Sequence, residues 1–332
     1  MIQKFKKKLP KRIALIYIDI IISMLIWNIN AKWGNDFNTC FSLSATTFLI
    51  IYTPFEIYWT FRDMWFDRWK TLKSQYLDVI EKKVEIEHDK FLSVDIVKAN
   101  DPDKIKPKNA IIIISHGFSD TKKTLQYYYF PLALQGYTIL AYDARGSGKS
   151  KNAGRRGQFA DRIIDFEKIV DWIKLSEDFN QMKIYAVGFS IGAIATLCGG
   201  FPNKNVDKII AVSSFSDFKK NSAKYNPIIF LRYLLKGVSV HPSKEKNEKI
   251  SPYLVFKSIK KERSMEEWND LKKKVMLIHA QNDKVIKFKN FKENQQVLEL
   301  PEDQIVVFKK GGHSMKKNEI SLVGASLLFL NA

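Results

Sequence analysis

The 332-residue sequence predicts an α/β fold. We expect a mostly parallel sheet with helices on both faces, a helical cap inserted late in the chain, and a transmembrane helical hairpin at the N-terminus. Three observations predict it. Short apolar runs alternate with stretches of helical period from about residue 84 onward, as in strands that crossover helices bury on both faces. More than fifty residues, between runs ending at 217 and starting at 274, break that alternation. Two longer apolar runs fill most of the first sixty-one residues.

The first run, IALIYIDIIISMLIWNI (13–29), is interrupted only by Asp19, Ser23 and Asn28. The second, FSLSATTFLIIYTPFEIYWTF, covers 41–61. Each is near the length that crosses a bilayer. Asp19 weighs against the first span, because a carboxylate at mid-bilayer is costly. A signal peptide is the rival reading. No small-x-small cleavage site follows the run, however, and a second apolar run comes at once. Buried core helices are the plainer alternative. Tyr58, Trp59, Phe61, Trp65 and Trp69 read as an interfacial belt. The N-terminal dozen residues hold six Lys or Arg, the connection 30–40 only Lys32, and the segment after the second run Arg62, Arg68, Lys70 and Lys73. The positive-inside rule therefore puts both ends in the cytoplasm. Residues 1–74 read as an anchor in the cell membrane with two spans, and 75–332 as a cytoplasmic domain.

The elements of that domain follow in order. VEIEHDKFLSVDIVKA (84–99) reads as one or two antiparallel strands. AIIIIS (110–115) is a short continuous apolar run, hence a buried strand. Residues 121–135 read as a helix, 137–145 as a strand, 159–176 as an amphipathic helix and 183–190 as a strand. IGAIATLCGG is a helix ended by glycines, and 208–217 another strand. Residues 218–270 form the cap above the C-terminal edge of the sheet, where ligands bind in such folds. A strand at 274–283, a helix at 287–298, a strand within 304–314 and a last helix complete the series.

A net charge of +19 points to nucleic acid or an anionic membrane surface. The lysines are spread over the whole chain, and no zinc finger, RRM or helix-turn-helix signature occurs, so nucleic acid is not expected as a partner. Cys40 and Cys198 make no framework, and the five histidines form no H-x-x-H or H-E-x-x-H spacing. Neither a metal nor a cofactor is expected.

Gly188-Phe189-Ser190-Ile191-Gly192 fits G-x-S-x-G between a strand and a helix. The flanking glycines permit close backbone approach around an exposed hydroxyl, and the free amides of the helix start can hold an oxyanion. The bland reading makes Ser190 only a helix cap. A nucleophilic serine needs a base and an orienting acid, arriving in the order Ser, acid, His at strand ends. Asp283 and His313 meet that order. Asp217 is the reserve acid, His241 the weaker base, and His279 a packed residue within its strand. Asp283 as a plain turn residue and His313 as a surface loop residue remain the alternatives. The turn SHGFSD (115–120) offers the Phe118 amide as a second oxyanion donor beside Ile191, with His116 ordering that turn. In DARGSGKS (143–150), Asp143 and Arg145 read as loop ties rather than as part of a phosphate loop.

Together HGF, DARGSGKS, GFSIG, QNDKVI and GGH resemble the α/β-hydrolase superfamily over residues 84–330. The resemblance is to the branch with monoacylglycerol lipases, lysophospholipase-like esterases and prolyl-oligopeptidase-like members. It implies a Ser190–His313–Asp283 triad with the Phe118 and Ile191 amides as oxyanion hole. Ala193 departs from it, since many relatives carry glycine there. The expected activity is hydrolysis of lipid-derived or small acyl esters through an acyl-enzyme. The alternatives are a serine peptidase acting on short peptides and a catalytically silent scaffold.

Overall fold

The computed structural model describes residues 9–65, 72, 74–222, 233, 237–239 and 241–332. It divides into two compact units, residues 1–70 and 71–332.

The first unit contains two helices, α1 (Leu9–Lys32) and α2 (Phe37–Trp65). Their apolar stretches, Ile13–Lys32 and Phe37–Tyr58, hold 20 and 22 residues. At 1.5 Å per residue each is about 30 Å long, enough to cross a hydrocarbon core. Both helices outrun the apolar runs that mark them in sequence. Asp19 and Ser23 turn inward, 2% and 9% exposed, while Ile18, Ile21, Met24 and Leu25 face out. Ser44 of α2 donates to the Ser23 carbonyl of α1. Neither oxygen of the buried Asp19 carboxylate has a hydrogen-bond partner among the described residues. Of the expected aromatic belt, Tyr58 is exposed. The side chains of Trp59, Phe61, Trp65 and Trp69 lie outside the described residues, as do the basic residues at 4–8.

The second unit is an eight-stranded sheet. Its strands are β1 (Leu77–Glu87), β2 (Lys90–Ala99), β3 (Ala110–Ser115), β4 (Thr138–Tyr142), β5 (Lys183–Phe189), β6 (Val206–Val212), β7 (Val275–Ala280) and β8 (Ile305–Phe308). Their spatial order is β1-β2-β4-β3-β5-β6-β7-β8. β1, β2 and β4 pair antiparallel, and every pair from β4 through β3 to β8 is parallel. Between the strands run α3 (Gln126–Ala133), α4 (Phe159–Leu175), α5 (Ile191–Gly200), α6 (Phe218–Ser222), α7 (Lys244–Ile250), α8 (Pro252–Glu262), α9 (Met265–Lys273), α10 (Lys289–Leu298) and the last helix, α11 (Glu319–Asn331).

The β3 isoleucines alternate between two cores. Ile111 and Ile113 meet Phe166, Ile169 and Ile173 of α4 together with α5. Ile112 and Ile114 meet Tyr128 and Leu132 of α3, and Leu322 and Phe329 of α11. Each fully buried isoleucine contributes about 1.5–3 kcal/mol, so a continuous apolar run holds the centre of the sheet.

Three elements differ from the sequence reading. The helix expected over 121–135 begins as a 3-10 turn (Lys122–Leu125) before α3. β6 stops at Val212, because Ser213 adopts φ +52°, which a strand cannot contain. The described part of the insertion is mainly helical, but not all of it caps the sheet edge. Phe256 of α8 and Trp268 of α9 pack edge-on against Phe201, just beyond the end of α5. These two helices therefore belong to the layer on that face of the sheet.

Candidate active site

β5 delivers the chain to a sharp turn at Ser190, which has φ +56° and ψ −116°. A non-glycine residue there stores strain, and surrounding contacts must hold it. The Ser190 amide donates to the Val212 carbonyl at 2.8 Å, and the Ala193 amide donates to the Ser190 carbonyl at 3.0 Å. Glycine is required on both sides by space. A Cβ on Gly188 would lie 2.5 Å from the Ala193 Cα, and one on Gly192 would lie 2.1 Å from the Ser115 carbonyl oxygen. Ala193 itself fits, fully buried, so its departure from the family pattern leaves the turn intact.

Ser190 occupies the cap position of α5, yet its side chain makes no capping bond. Its Oγ lies 2.9 Å from Nε2 of His313. The other ring nitrogen of His313, Nδ1, lies 2.8 Å from Oδ2 of Asp283. Oδ1 of that carboxylate accepts from the amides of Val285 (2.8 Å) and Ile286 (3.0 Å). Burial pushes the Asp283 carboxyl up. The charge and hydrogen bond of His313, the nearby His279 and the Ile286 amide outweigh this and hold it below its ordinary value. Asp283 is therefore an anion at neutral pH, which keeps the proton of His313 on Nδ1 and leaves Nε2 facing the serine as an acceptor.

The turn after β3 comes next to this serine: a Cβ on Gly117 would lie 3.4 Å from Ser190 Cβ. Phe118 is buried, its ring edge-on to Phe159 and Tyr233. The Ile191 amide opens α5 and has no acceptor within the helix. His116 orders this turn. Its Nε2 accepts from the Ala144 amide at 2.9 Å, so its Nδ1 carries the proton to the Gly117 carbonyl at 2.7 Å. Burial, then the positive charge of Arg162, pushes its pKa down to about 3.

The remaining candidates fall elsewhere. His279 donates from Nε2 to the Ile286 carbonyl at 2.9 Å and stands 3.6 Å from Asp283, a buried neighbour of the acid rather than a base. Asp217 accepts from the Lys220 amide and the Asn247 side chain, joining α6 to α7. His241 is exposed in the insertion. Asp143 accepts from the Lys122 and Lys149 amides, and Arg145 pairs with Asp165, Asp161 and Glu87, so both act as loop ties. Sequence reasoning missed Asn282 and Ser213. Asn282 Oδ1 accepts from the Gly312 amide at 2.9 Å, and Ser213 Oγ donates to the His313 carbonyl at 3.4 Å, so both anchor the histidine loop. Only the place of Asn282, next to the acid, hints at it.

Residues 106–267 match the model of a family described as serine aminopeptidase, S33. The matched region contains the serine and the turn before it, and ends ahead of Asp283. An esterase from Pyrococcus furiosus superposes with a TM-score of 0.54 at 22% identity, over 77% of this chain and 90% of its own. The chain has the α/β-hydrolase fold. The esterase domain of a Rhodothermus marinus protein superposes with a TM-score of 0.52 at 14% identity, over 77% of this chain and 98% of the domain. The acylaminoacyl peptidase of Pyrococcus horikoshii gives a TM-score of 0.56 at 18% identity, over 81% of this chain but 42% of that larger one. No curated protein matches the sequence. The α/β-hydrolase fold thus goes with a partial match to a serine aminopeptidase family and with two N-terminal helices long and apolar enough to cross a membrane.

Proposed function

We propose that this chain is a membrane-anchored serine hydrolase that cleaves carboxylic esters, those of lipid-derived monoacylglycerols or lysophospholipids first among them. The observation that carries the reading is the unbroken relay from Ser190 Oγ through His313 to Asp283, 2.9 and 2.8 Å long.

In the mechanism it supports, Ser190 Oγ attacks the ester carbonyl while His313 Nε2 takes its proton. The amides of Phe118 and Ile191 hold the developing oxyanion, and Asp283 stabilises the imidazolium. His313 then protonates the departing alcohol, leaving an acyl group on Ser190. Water, activated by the same imidazole, attacks that acyl group and restores the serine. The strained turn suits this chemistry, because it presents Oγ beside the Ile191 amide, which has no acceptor within the helix. The anchor at a bilayer, with both chain ends in the cytoplasm, supports lipid-derived substrates.

Fluorophosphonate labelling tests the nucleophile. Wild type should be labelled covalently and Ser190→Ala should not. Equal labelling of the two ends the proposal.

The family match favours a second reading, a peptidase releasing residues from short peptides. Turnover of acyl esters against aminoacyl amides decides between them. Amide turnover matching ester turnover would favour the peptidase.

A further inference from the structure

Two loops meet at the triad, one after β7 and one after β8. Residues 281–292 and 309–320 hold eight lysines and two acids, Asp283, which is buried and bound to His313, and Glu319 at the start of the last helix. Several surface lysines and arginines elsewhere pair with neighbouring carboxylates: Lys249 with Glu245 at 3.1 Å, Lys273 with Asp270 at 2.9 Å, Arg263 with Glu267 at 3.3 Å. On these loops Lys284, Lys309, Lys310, Lys316 and Lys317 are exposed, and none is in an ion pair among the described residues.

The loop beneath the second group is fixed. The Lys316 amide donates to the Gly311 carbonyl at 2.9 Å, and the Asn318 side chain donates to the Lys310 carbonyl at 2.6 Å. Lysines on a pinned loop form a standing positive field rather than a transient one. Three residues past Lys317, Ile320, the second residue of the last helix, is 90% exposed. A bare isoleucine beside unneutralised lysines is the combination that binds a charged interface, the cations at head groups and the apolar side chain at the acyl boundary.

We propose that these two loops, with Ile320, form a docking face for an anionic lipid surface. The occupant is a bilayer rather than a soluble anion, because a soluble anion gives the exposed isoleucine nothing to enter. Docking brings the serine and histidine to the lipid. The inference rests on the proposed membrane attachment for its setting, but not on the ester chemistry.

The test uses the full chain in lipid nanodiscs with a polarity-sensitive fluorophore on Ser321→Cys, which is exposed beside Ile320. Cys40 and Cys198 are buried and take up little label. In discs containing phosphatidylglycerol the emission should shift to the blue. The shift should be lost in pure phosphatidylcholine, in high salt, and in a Lys316→Glu, Lys317→Glu chain. An Ile320→Ser chain should weaken it while keeping its salt dependence. Aqueous emission in anionic discs, or equal shifts in both lipids, overturns the proposal. So does a shift produced by glycerol phosphate with neutral discs, or by concentrating the protein in lipid-free detergent. A Ser190→Ala chain should shift like wild type, so failure here is separable from failure of the catalytic reading.

Discussion

Asp283 illustrates how much one side chain fixes. Both its oxygens are occupied, and only Oδ2 faces the histidine. Asp283→Asn preserves the shape but presents either a donor or a weaker acceptor to Nδ1, so the proton of His313 is no longer held away from the serine. We expect kcat to fall by about 10⁴-fold with KM little changed. A loss under tenfold in steady-state kinetics would remove Asp283 from the relay. His116 acts through stability instead. It is neutral in the fold, with a pKa near 3 against 6.5 unfolded. The unfolded chain therefore binds the extra proton between those values, and stability present above pH 6.5 is lost as pH falls toward 3. From pH 7 to pH 5 this one group contributes a loss of about 2 kcal/mol. The thermal midpoint in detergent should drop several degrees more over that interval for wild type than for His116→Gln, and parallel curves would refute the assignment. At this scale the chemistry-bearing residues were legible, because serine, acid and histidine arrive in a required order at strand ends. Asn282 and Ser213 were not, since an amide or hydroxyl shows its partner only once the loops meet.

Among the elements, the start of α5 carries the site. It presses against the turn after β3 so closely that only glycine fits at 192. Gly192→Ala drives a methyl group into the Ser115 carbonyl, and the turn holding Phe118 must move away from the helix start. Separating the two amides should cost about 10²–10³ in kcat, the scale of one lost oxyanion donor. Gly324 in the last helix is the control, because nothing lies within 4 Å of a Cβ there. Gly324→Ala should leave kcat unchanged and raise stability by about 1 kcal/mol through helix propensity. If the two variants behave alike in kinetics, close packing at 192 is irrelevant to catalysis. Strands such as β3 and β5, and helix α4, could be read within a residue or two because each has one period throughout. The end of β6 could not, since nothing in its sequence marks the left-handed Ser213. Nor could the role of α8 and α9. Their amphipathic faces would suit a cap as well as a flanking layer, and only the Phe201 contacts decide.

For the whole molecule, the charges that flank the two apolar helices predict how the proposed membrane hairpin is threaded. Its charges make one answer favourable. Six Lys or Arg precede the first apolar run and four follow the second, while Lys32 stands alone between them. Moving the flanks outward would carry ten cations across a membrane whose potential opposes it, against one for moving the connection. The proposed topology thus exposes the 33–36 turn to the outside and keeps the hydrolase domain within. Asn35 is exposed at that turn, and the native cysteines are buried. An Asn35→Cys chain in intact cells should react with a membrane-impermeant maleimide, and a Ser321→Cys chain should react only after the cells are opened. The reverse pattern would put the catalytic domain outside and discard the cytoplasmic assignment. Labelling of neither position before lysis, with the chain washed off the membrane by carbonate, would mean that the two helices do not span at all. The proposed restriction to lipid-derived esters would then lose its support, while the Ser190–His313–Asp283 relay would stand unaffected.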